Sequence, residues 1–366
     1  MEVLTVKIGL LGAGTIGFGV VELADQTDDL KIIKILDRRD IPELRDRLTT
    51  VPDSILEDPE IDTVIELLGG VEPAFTWVSK ALLSGKNVVT ANKFLVSEKL
   101  PELLEAARKG SAQLRFSAAV GGGIPILVNL LRARRLDTVQ EVGGVLNGTT
   151  NYILTKMAED GLDFDVALKQ AQELGYAEAD PTADVSGLDT LRKVILLSAV
   201  SFGLLPVDGM LLEGIENIDL FREPDSKVRL IGCCGKNENG TVYSYVEPVL
   251  LKPYSTFAGV TSNFNQVMYK GKNSGTISLY GQGAGRYPTA SAVLRDLTAI
   301  AAGERAMLPE SCVGCTADNR FIKHKYYISE GNKSHITDFV SVADMHREAK
   351  EMRESGRKVF FAEIEE

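Results

Sequence analysis

Short apolar runs and amphipathic stretches alternate along the first third of the chain. Each run is rich in aliphatic residues and ends near a glycine or a polar residue, as buried strands of a parallel sheet do. The predicted strands are residues 6–11, 31–36, 62–68, 87–90 and 114–117. Apolar residues at helical spacing lie between them, at residues 16–23, 72–83 and 100–109. This alternation predicts a doubly wound α/β fold, with an N-terminal Rossmann-type parallel sheet.

The pattern changes after residue 125, where several helices come in succession and strand-like segments follow them. The predicted helices are residues 125–135, 151–159, 164–174 and 188–202. The predicted strands are residues 227–233, 242–249 and 276–280. A further helix at 286–302 precedes a charged helix at 343–354 and a last strand at 358–362. Helices followed by strands predict a second, mixed α+β domain.

Composition and charge narrow the class of partner. The chain has 366 residues, of which 44% are hydrophobic and 25% charged, and its formal net charge is −11. Such an acidic chain does not favour a nucleic-acid partner, whose phosphates require a basic face. The longest apolar stretch, residues 194–207, is interrupted by Gly203 and Pro206 and is too short to span a bilayer. We therefore expect neither nucleic acid nor a membrane as partner.

The cysteines bear on the cellular compartment. Cys312 and Cys315 have the CxxC spacing of metal ligands or a redox pair, but a single pair supplies only two ligands, so free thiols are the alternative. Four cysteines in a chain of this length favour a reducing compartment. Residues 1–5 carry no apolar signal segment, and we expect a cytoplasmic protein.

A glycine-rich turn joins the first predicted strand to the first predicted helix. Gly12, Gly14 and Gly17 fit the GxGxxG pattern there, which allows a tight turn, close approach of a pyrophosphate and close helix packing. The phosphates would face N–H groups at the start of the helix. The turn therefore predicts a nicotinamide dinucleotide. Its candidate contacts are Gly12, Ala13, Gly14, Thr15, Ile16 and Gly17, with Leu68 and Gly69 after the third strand.

The end of the second predicted strand carries two conflicting signals for the ribose of this cofactor. Asp37 stands where a carboxylate accepts hydrogen bonds from a ribose 2′-hydroxyl, which favours NAD. Arg38 and Arg39 follow at once, and an arginine there can hold a 2′-phosphate, which favours NADP. The choice stays open, and we expect NAD(P).

Five blocks rich in glycine or polar residues are candidates for the chemistry: residues 87–93, 117–125, 147–151, 175–193 and 281–289. Lys93 lies just past the carboxyl end of a predicted parallel strand, where such sheets bind ligands; a solvated loop lysine is the alternative. The three glycines within 117–125 bring the backbone close to an ion or form a hinge. The turn at 147–151 contacts a ligand or simply caps a helix.

The block at residues 175–193 is densely charged. Asp189 and Lys193 are four residues apart and so lie on one helical face, where the carboxylate can orient the lysine ammonium. The alternative is a surface ion pair at a helix start, with Ser186 and Asp189 as a capping box. More carboxylates precede the pair: Glu178, Asp180 and Asp184. Acidic groups near a cofactor suggest that the substrate carries a cationic group, such as an α-amine.

These five blocks, in this order, resemble those of homoserine dehydrogenase from about Ile8 to about Ala302. The most specific matches are residues 87–93, 147–152, 175–193 and 281–285. That family reversibly reduces L-aspartate 4-semialdehyde to L-homoserine with NAD(P)H, on the biosynthetic route to threonine and methionine. The resemblance implies the same oxidoreductase activity in a monofunctional chain, without an aspartokinase module or a recognisable regulatory domain.

The resemblance also implies roles for individual residues. Lys193 would be the proton donor to the aldehyde oxygen, Asp189 would act beside it, and Lys93 would bridge cofactor and substrate. The substrate contacts would be Glu178, Asp184, Asp189, Tyr176, Gly148 and Thr149. Further cofactor contacts would be Thr90, Asn92, Lys93, Gly175 and Gly283.

The resemblance also implies a bound sodium ion and a homodimer. The backbone carbonyls that bind sodium in the family match Val120, Gly122 and Ile124, but Ser117 stands where the family usually has a glutamate.

The expected domains are residues 1–130 for dinucleotide binding and 131–285 for catalysis and dimerisation. Residues 286–366 would form a C-terminal segment whose helix returns to the first domain, followed by a polar tail.

Two other functions are compatible with the dinucleotide turn. An aspartate-semialdehyde dehydrogenase, or another oxidoreductase of that type, needs a nucleophilic cysteine, and no cysteine lies in the five blocks. A non-catalytic, dinucleotide-sensing regulator would normally carry a basic DNA-binding module, which this sequence does not offer. Turnover with L-homoserine distinguishes the enzyme from the sensor.

Overall fold

The chain divides into two compact units, which are described separately below. The structure is a computed structural model and describes residues 5–223, 226–306, 308–309 and 312–365. Residues 1–4, part of the stretch in which no signal segment is expected, lie outside this range. The first unit consists of Met1–Arg132 and Ala284–Val313, and the second of Ala133–Gly283 and Gly314–Glu366.

The strands and helices are numbered in chain order. The strands are β1 (Val6–Leu11), β2 (Leu30–Leu36), β3 (Leu48–Thr49), β4 (Thr63–Glu66), β5 (Asn87–Thr90), β6 (Leu114–Arg115), β7 (Val139–Val145), β8 (Leu204–Asp208), β9 (Leu211–Leu212), β10 (Val228–Lys236), β11 (Val242–Leu250), β12 (Phe264–Gly271), β13 (Gly275–Gln282), β14 (Val313–Thr316), β15 (Lys323–His324), β16 (Tyr326–Glu330), β17 (Lys333–Ile336), β18 (Val340–Ser341) and β19 (Val359–Ile364). The helices are α1 (Thr15–Ala24), α2 (Asp53–Leu56), α3 (Ala74–Leu83), α4 (Lys93–Gly110), α5 (Ile126–Ala133), α6 (Gly148–Asp160), α7 (Phe164–Glu173), α8 (Thr182–Val185), α9 (Leu188–Phe202), α10 (Arg286–Ala301) and α11 (Val342–Glu354).

The first unit is built on a six-stranded parallel sheet. Its strand order is β3-β2-β1-β4-β5-β6, the order of a Rossmann fold, so the predicted fold class is confirmed. Helix α10 packs on α1 in the same core, at Gly19, where a Cβ atom would lie only 3.2 Å from the Cβ of Ala290. The carboxyl ends of these strands are where such sheets bind ligands.

Helix α4 begins at Lys93, earlier than the predicted start at residue 100. The side chain of Asn92 caps it by accepting a hydrogen bond from the Leu95 N–H (3.1 Å). Pro101 lies inside the helix and cannot donate to a backbone carbonyl, and the backbone leaves helical geometry at Lys99. The kink separates the predicted part of the helix from its first turn, which the sequence pattern missed.

The second unit is built on a mixed sheet, which confirms the predicted α+β class. Its strand order is β13-β12-β7-β10-β11-β19-β16-β17, with β9 paired to β11. Strand β7 was not predicted, because Gly143 and Gly144 interrupt its apolar pattern. Both glycines are required by close packing: a Cβ atom at Gly143 would lie 2.4 Å from the Gly232 carbonyl oxygen, and one at Gly144 would lie 2.1 Å from that of Gln266.

The first part of the longest apolar stretch, residues 194–202, lies in helix α9, whose bounds match the prediction, and its last part lies in β8. The helix ends at Gly203, which adopts φ +69° and accepts the left-handed geometry of a helix terminus. In the described part of the chain, no helix is both long and apolar enough to cross a membrane. All four cysteines are free of disulfides, and the described residues contain no group of three or more His, Cys, Asp or Glu side chains suited to a metal ion.

Candidate active site

The glycine turn of the first unit has the geometry of a phosphate cradle. Gly12 adopts φ +99° and donates its N–H to the Leu36 carbonyl (2.9 Å). A Cβ atom at Gly17 would lie 2.2 Å from the Gly12 carbonyl oxygen, so only glycine lets α1 sit this close to the strand. Gly14, just before α1, has open space where its side chain would be and provides no side-chain cap. The N–H groups of the first turn of α1 therefore suit a pyrophosphate.

Asp37 and Arg39 form a hydrogen-bonded ion pair beside this turn. Asp37 accepts hydrogen bonds from the Ala13 N–H (3.0 Å) and from the backbone N, Nε and Nη2 of Arg39 (3.0, 2.9 and 2.8 Å). Arg39 Nη2 also donates to the Ala13 carbonyl (2.8 Å). The hydrogen bonds from Arg39 hold the pKa of Asp37 well below its usual range. The predicted Asp37 and Arg39 thus form one ion pair, and Arg38 and Arg39 are both exposed.

The carboxyl ends of β4 and β5 are joined by a buried glutamate that the sequence reasoning missed. Glu66 accepts hydrogen bonds from Thr90 Oγ1 (2.6 Å), the Leu68 N–H (2.8 Å) and Asn92 Nδ2 (3.2 Å). Asn92 Nδ2 also donates to the Gly70 carbonyl (2.7 Å). Burial raises the pKa of Glu66. The side chains of Thr90 and Asn92 therefore hold the loop after β4. The sequence signal that could have identified Glu66 was an acidic residue inside an apolar strand.

Lys93, Leu68 and Gly69 lie at this same edge of the sheet. Lys93 is the first residue of α4, directly after β5, as its position in the sequence predicted. Gly69 adopts φ +79° and has open space where a side chain would be. Leu68 is exposed. All three are placed where a Rossmann sheet binds its ligand.

In the second unit, Lys193 and Asp189 form a buried ion pair on α9. Lys193 Nζ lies 2.8 Å from Asp189 Oδ2, and each side chain is 9% exposed. The ammonium also donates to the Leu146 carbonyl (2.6 Å). A surface ion pair is therefore excluded. The capping box is excluded as well, because Gly187 is the residue before α9 and no side chain caps this helix.

Asn147 connects this ion pair to a second carboxylate, a role that was not predicted. Its side-chain oxygen accepts the Thr150 N–H (2.8 Å) and so caps α6. Its Nδ2 donates to both Asp184 Oδ1 (2.6 Å) and Asp189 Oδ2 (2.9 Å). Burial raises the pKa of Asp184. We call Asn147, Asp184, Asp189 and Lys193 the polar cluster; it contains two carboxyl groups and one ammonium.

Further predicted substrate residues lie near the start of α6. Thr149 Oγ1 donates to the Tyr176 carbonyl (2.6 Å), and the ring of Tyr176 packs edge-on against that of Tyr152 at a centroid distance of 5.2 Å. Gly148 has no room for a side chain, because a Cβ atom would lie 2.7 Å from the Asn263 carbonyl oxygen. Glu178 behaves differently: its side chain is exposed, and its backbone carbonyl accepts from Gln172 (3.1 Å).

A buried amide that was not predicted lies between two of the predicted glycines. Asn265 is 1% exposed, and neither its side-chain nitrogen nor its side-chain oxygen has a hydrogen-bond partner among the described residues. A Cβ atom at Gly283 would lie 2.2 Å from its Cγ, and one at Gly148 would lie 3.5 Å from its Oδ1. Gly175, also predicted, adopts φ +74° with open space around it. Position 283 therefore has to be glycine for Asn265 to fit.

The glycine loop at residues 117–125 is bound by side chains of α10. Ser117 donates its hydroxyl and its N–H to Asp296 (2.8 and 2.9 Å). Arg295 Nη2 donates to the Gly123 carbonyl (2.8 Å), and the Ile124 carbonyl accepts the Ile126 N–H (2.8 Å). Ser117 therefore adds no carboxylate to the carbonyls that match a sodium site, and the guanidinium of Arg295 lies close to them. This donor set does not fit a sodium ion.

Comparison with known proteins gives one consistent family. The family model for homoserine dehydrogenase matches residues 125–298, and the model for the NAD-binding domain of homoserine dehydrogenase matches residues 12–117. The chain is 38% identical to the homoserine dehydrogenase of Synechocystis sp. over 318 residues, which covers 81% of this chain and 73% of that protein. It is 36% identical to the Bacillus subtilis enzyme over 315 residues, covering 81% and 72%.

Solved structures agree with the sequence comparisons. A homoserine dehydrogenase from Thiobacillus denitrificans superimposes with a TM-score of 0.83 at 30% identity, covering 99% of this chain and 98% of that one. A hyperthermophilic archaeal homoserine dehydrogenase in complex with NADPH superimposes with a TM-score of 0.73 at 26% identity, covering 82% of this chain and 99% of that one.

Proposed function

This chain belongs to the homoserine dehydrogenase family, and we propose that the polar cluster is its substrate site, with Lys193 as the proton donor. The protein is an NAD(P)-dependent oxidoreductase that interconverts L-aspartate 4-semialdehyde and L-homoserine. One observation carries the assignment of the site. The Lys193 ammonium is buried, and Asp189 and the Leu146 carbonyl fix its position.

Lys193 has the chemistry that the carbonyl oxygen of the substrate requires. Bound NAD(P)H supplies a hydride to the carbonyl carbon, and negative charge then develops on the aldehyde oxygen. A positioned ammonium stabilises this charge and delivers the proton that completes the alcohol. Asp189 stabilises the ammonium, and because the pair is buried, its electrostatic interaction is weakly screened by water. In the oxidation direction the step is reversed, and the neutral amine of Lys193 takes the hydroxyl proton of homoserine to become the ammonium.

The second carboxylate of the polar cluster suits the α-amine of the substrate. Lys193 balances one carboxylate charge, so when Asp184 is ionised the cluster carries one negative charge in excess. An α-ammonium group next to Asp184 compensates that charge and offsets its cost of burial. We propose Tyr176, Thr149, Gly148 and Glu178 as the remaining substrate contacts and Lys93 as the residue that bridges cofactor and substrate.

Replacing Asp184 with asparagine is expected to raise KM for L-homoserine about ten- to hundredfold, the effect of losing one charge-assisted hydrogen bond of about 1.5–3 kcal/mol. The KM for the cofactor should stay near the native value, because the cofactor residues lie elsewhere. Steady-state kinetics in the oxidation direction measure both constants. Asp180→Asn is the matched control, because Asp180 is an exposed carboxylate that accepts hydrogen bonds from Thr182 in the same block. Equal KM values for the two variants would contradict this role.

We also propose that the protein is a homodimer formed through the sheet of the second unit. Strand β13 lies at one end of that sheet, and side chains on both of its faces are exposed, including Ile277 and Tyr280. An exposed edge strand is a ready template for pairing with another chain. Sedimentation equilibrium of the 39.7 kDa chain should give twice this mass. Tyr280→Lys should shift the protein towards one chain mass, and a native protein that stays monomeric would rule the proposal out.

A cytoplasmic location is proposed on the state of the cysteines. None of the four cysteines forms a disulfide, and Cys234 is buried. Cysteines without disulfides are typical of a reducing compartment. Fractionation of cells that express the protein tests the location, and recovery outside the cytoplasmic fraction would refute it.

A further inference from the structure

The glycine loop at residues 117–125 lies in the first unit, between β6 and α5. Three of its carbonyls, those of Val120, Gly122 and Ile124, match sodium ligands of the family, while Ser117 stands at the position of the usual glutamate. With serine there, the available donors are peptide carbonyls and one hydroxyl, and all of them are neutral. Hard cations are generally held by oxygen ligands that include carboxylates. The loop therefore lacks the charged ligand that would offset the free-energy cost of dehydrating the ion.

The carboxylate that does contact the loop is already compensated. Asp296 is 3% exposed and accepts both the hydroxyl and the N–H of Ser117, which holds the first residue of the loop against α10. Burial raises the pKa of Asp296, and the charges of Arg115 and Arg295 oppose that shift. The single carboxyl group therefore carries at most one negative charge against two guanidinium groups of the same unit, and no excess negative charge is left for a metal ion.

Arg295 places its positive charge at the loop itself. Its Nη2 donates to the Gly123 carbonyl (2.8 Å), and Gly123 stands between Gly122 and Ile124, whose carbonyls match two of the three ligands. A sodium ion bound there would be only a few ångströms from the guanidinium, and like charges at that separation repel. The Ile124 carbonyl is in addition engaged by the Ile126 N–H.

We infer that Arg295 supplies from within the chain the positive charge that this glycine loop otherwise takes from a sodium ion. The protein consequently needs no sodium for stability or turnover and does not distinguish it from other monovalent cations. Arg295 is a positioning residue, because it acts on the loop and not on the reacting atoms.

The inference is tested by melting temperature and by homoserine oxidation in sodium, potassium and choline chloride at constant ionic strength. The native protein should give the same values in all three salts. Arg295→Met removes the charge and keeps much of the apolar stem, and Ser117→Glu restores the carboxylate. The melting temperature of the double variant should rise with the sodium concentration, because each tenfold excess of ion over its Kd adds about 1.4 kcal/mol to the free energy of unfolding. Arg305→Met, at an exposed arginine of the same unit, is the control and should behave as the native protein.

Three outcomes overturn the inference. The first is a native protein that melts higher or turns over faster in sodium than in choline. The second is a double variant that folds, as judged by circular dichroism, but shows no sodium response. The third is an Arg305→Met protein that gains the same sodium response. Because the melting temperature does not depend on turnover, failure here leaves the assignment of Lys193 and the polar cluster untouched.

Discussion

Replacing Lys193 with methionine is expected to lower kcat for homoserine oxidation by roughly two to four orders of magnitude, the usual range for loss of a positioned general acid or base. The methionine fills similar space but can neither take the hydroxyl proton nor stabilise charge on the oxygen. The cofactor affinity should change little, because the glycine turn that suits the pyrophosphate lies in the other unit. Steady-state kinetics and cofactor binding by fluorescence measure the two effects separately.

The Lys193 substitution also removes one partner of a buried ion pair, which typically destabilises a protein by about 3–5 kcal/mol. The double variant Lys193→Met with Asp189→Asn removes both charges of this pair and leaves the net charge of the polar cluster unchanged, so a loss of its activity does not arise from one uncompensated buried carboxylate. Lys169→Met is the matched control, because Lys169 is an exposed lysine on α7. Near-native turnover in a folded Lys193→Met protein would refute the assignment.

Replacing Glu363 with glutamine is expected to stabilise the protein increasingly as the pH rises. Glu363 and Glu247 are both buried, on β19 and β11, and their carboxyl groups are hydrogen-bonded to each other, so Glu363 keeps a proton and donates it to Glu247. Glu247 also accepts a hydrogen bond from the Tyr326 hydroxyl (3.1 Å), and its Oε2 lies 2.9 Å from His346 Nε2. Glutamine preserves the donor to Glu247 without having to bind a proton.

The pH window follows from the direction of these pKa shifts. Burial raises the pKa of Glu247 to about 8 and that of Glu363 well above its usual 4.5. A carboxyl group whose pKa is raised by folding contributes its full stability below the pKa that it has in the unfolded chain. This stability is lost as the pH rises from that value towards the pKa in the folded protein, by about 1.4 kcal/mol per pH unit. Burial also lowers the pKa of His346 from 6.5 to about 4, so the window above pH 6.5 is free of its titration.

As the pH rises above about 6.5, the free energy of unfolding of Glu363→Gln should therefore increase relative to that of the native protein, by up to about 1.4 kcal/mol per pH unit. Urea unfolding at several pH values measures this difference. Glu330→Gln is the control: Glu330 is a half-buried residue at the end of β16 that is paired with Arg357, and loss of this ion pair should cost less than about 1 kcal/mol. A difference between Glu363→Gln and native protein that does not change with pH would show that Glu363 holds no proton.

The parts of this protein that the sequence predicted are local in the chain. Gly12, Gly14 and Gly17 lie within one turn, and their roles follow from the backbone conformations that glycine alone accepts. The same holds for α9, whose bounds are set by its apolar pattern and by Gly203. Strand β7 was missed although it lies inside the sheet, because its glycines are explained by the neighbouring strands β10 and β12 and not by its own pattern.

The candidate site was predicted residue by residue, but its connections were decided by the tertiary structure. By itself the sequence determined that Asp189 and Lys193 share a helical face, and it left open whether that face was at the surface. Only folding buries the pair and places Asn147, 42 residues from Asp189, between the carboxylates of Asp184 and Asp189. Likewise Arg295 reaches the Gly123 carbonyl across 172 residues. Local conformation follows from each residue and its neighbours, whereas burial and the partners of a charge depend on which distant segments pack together.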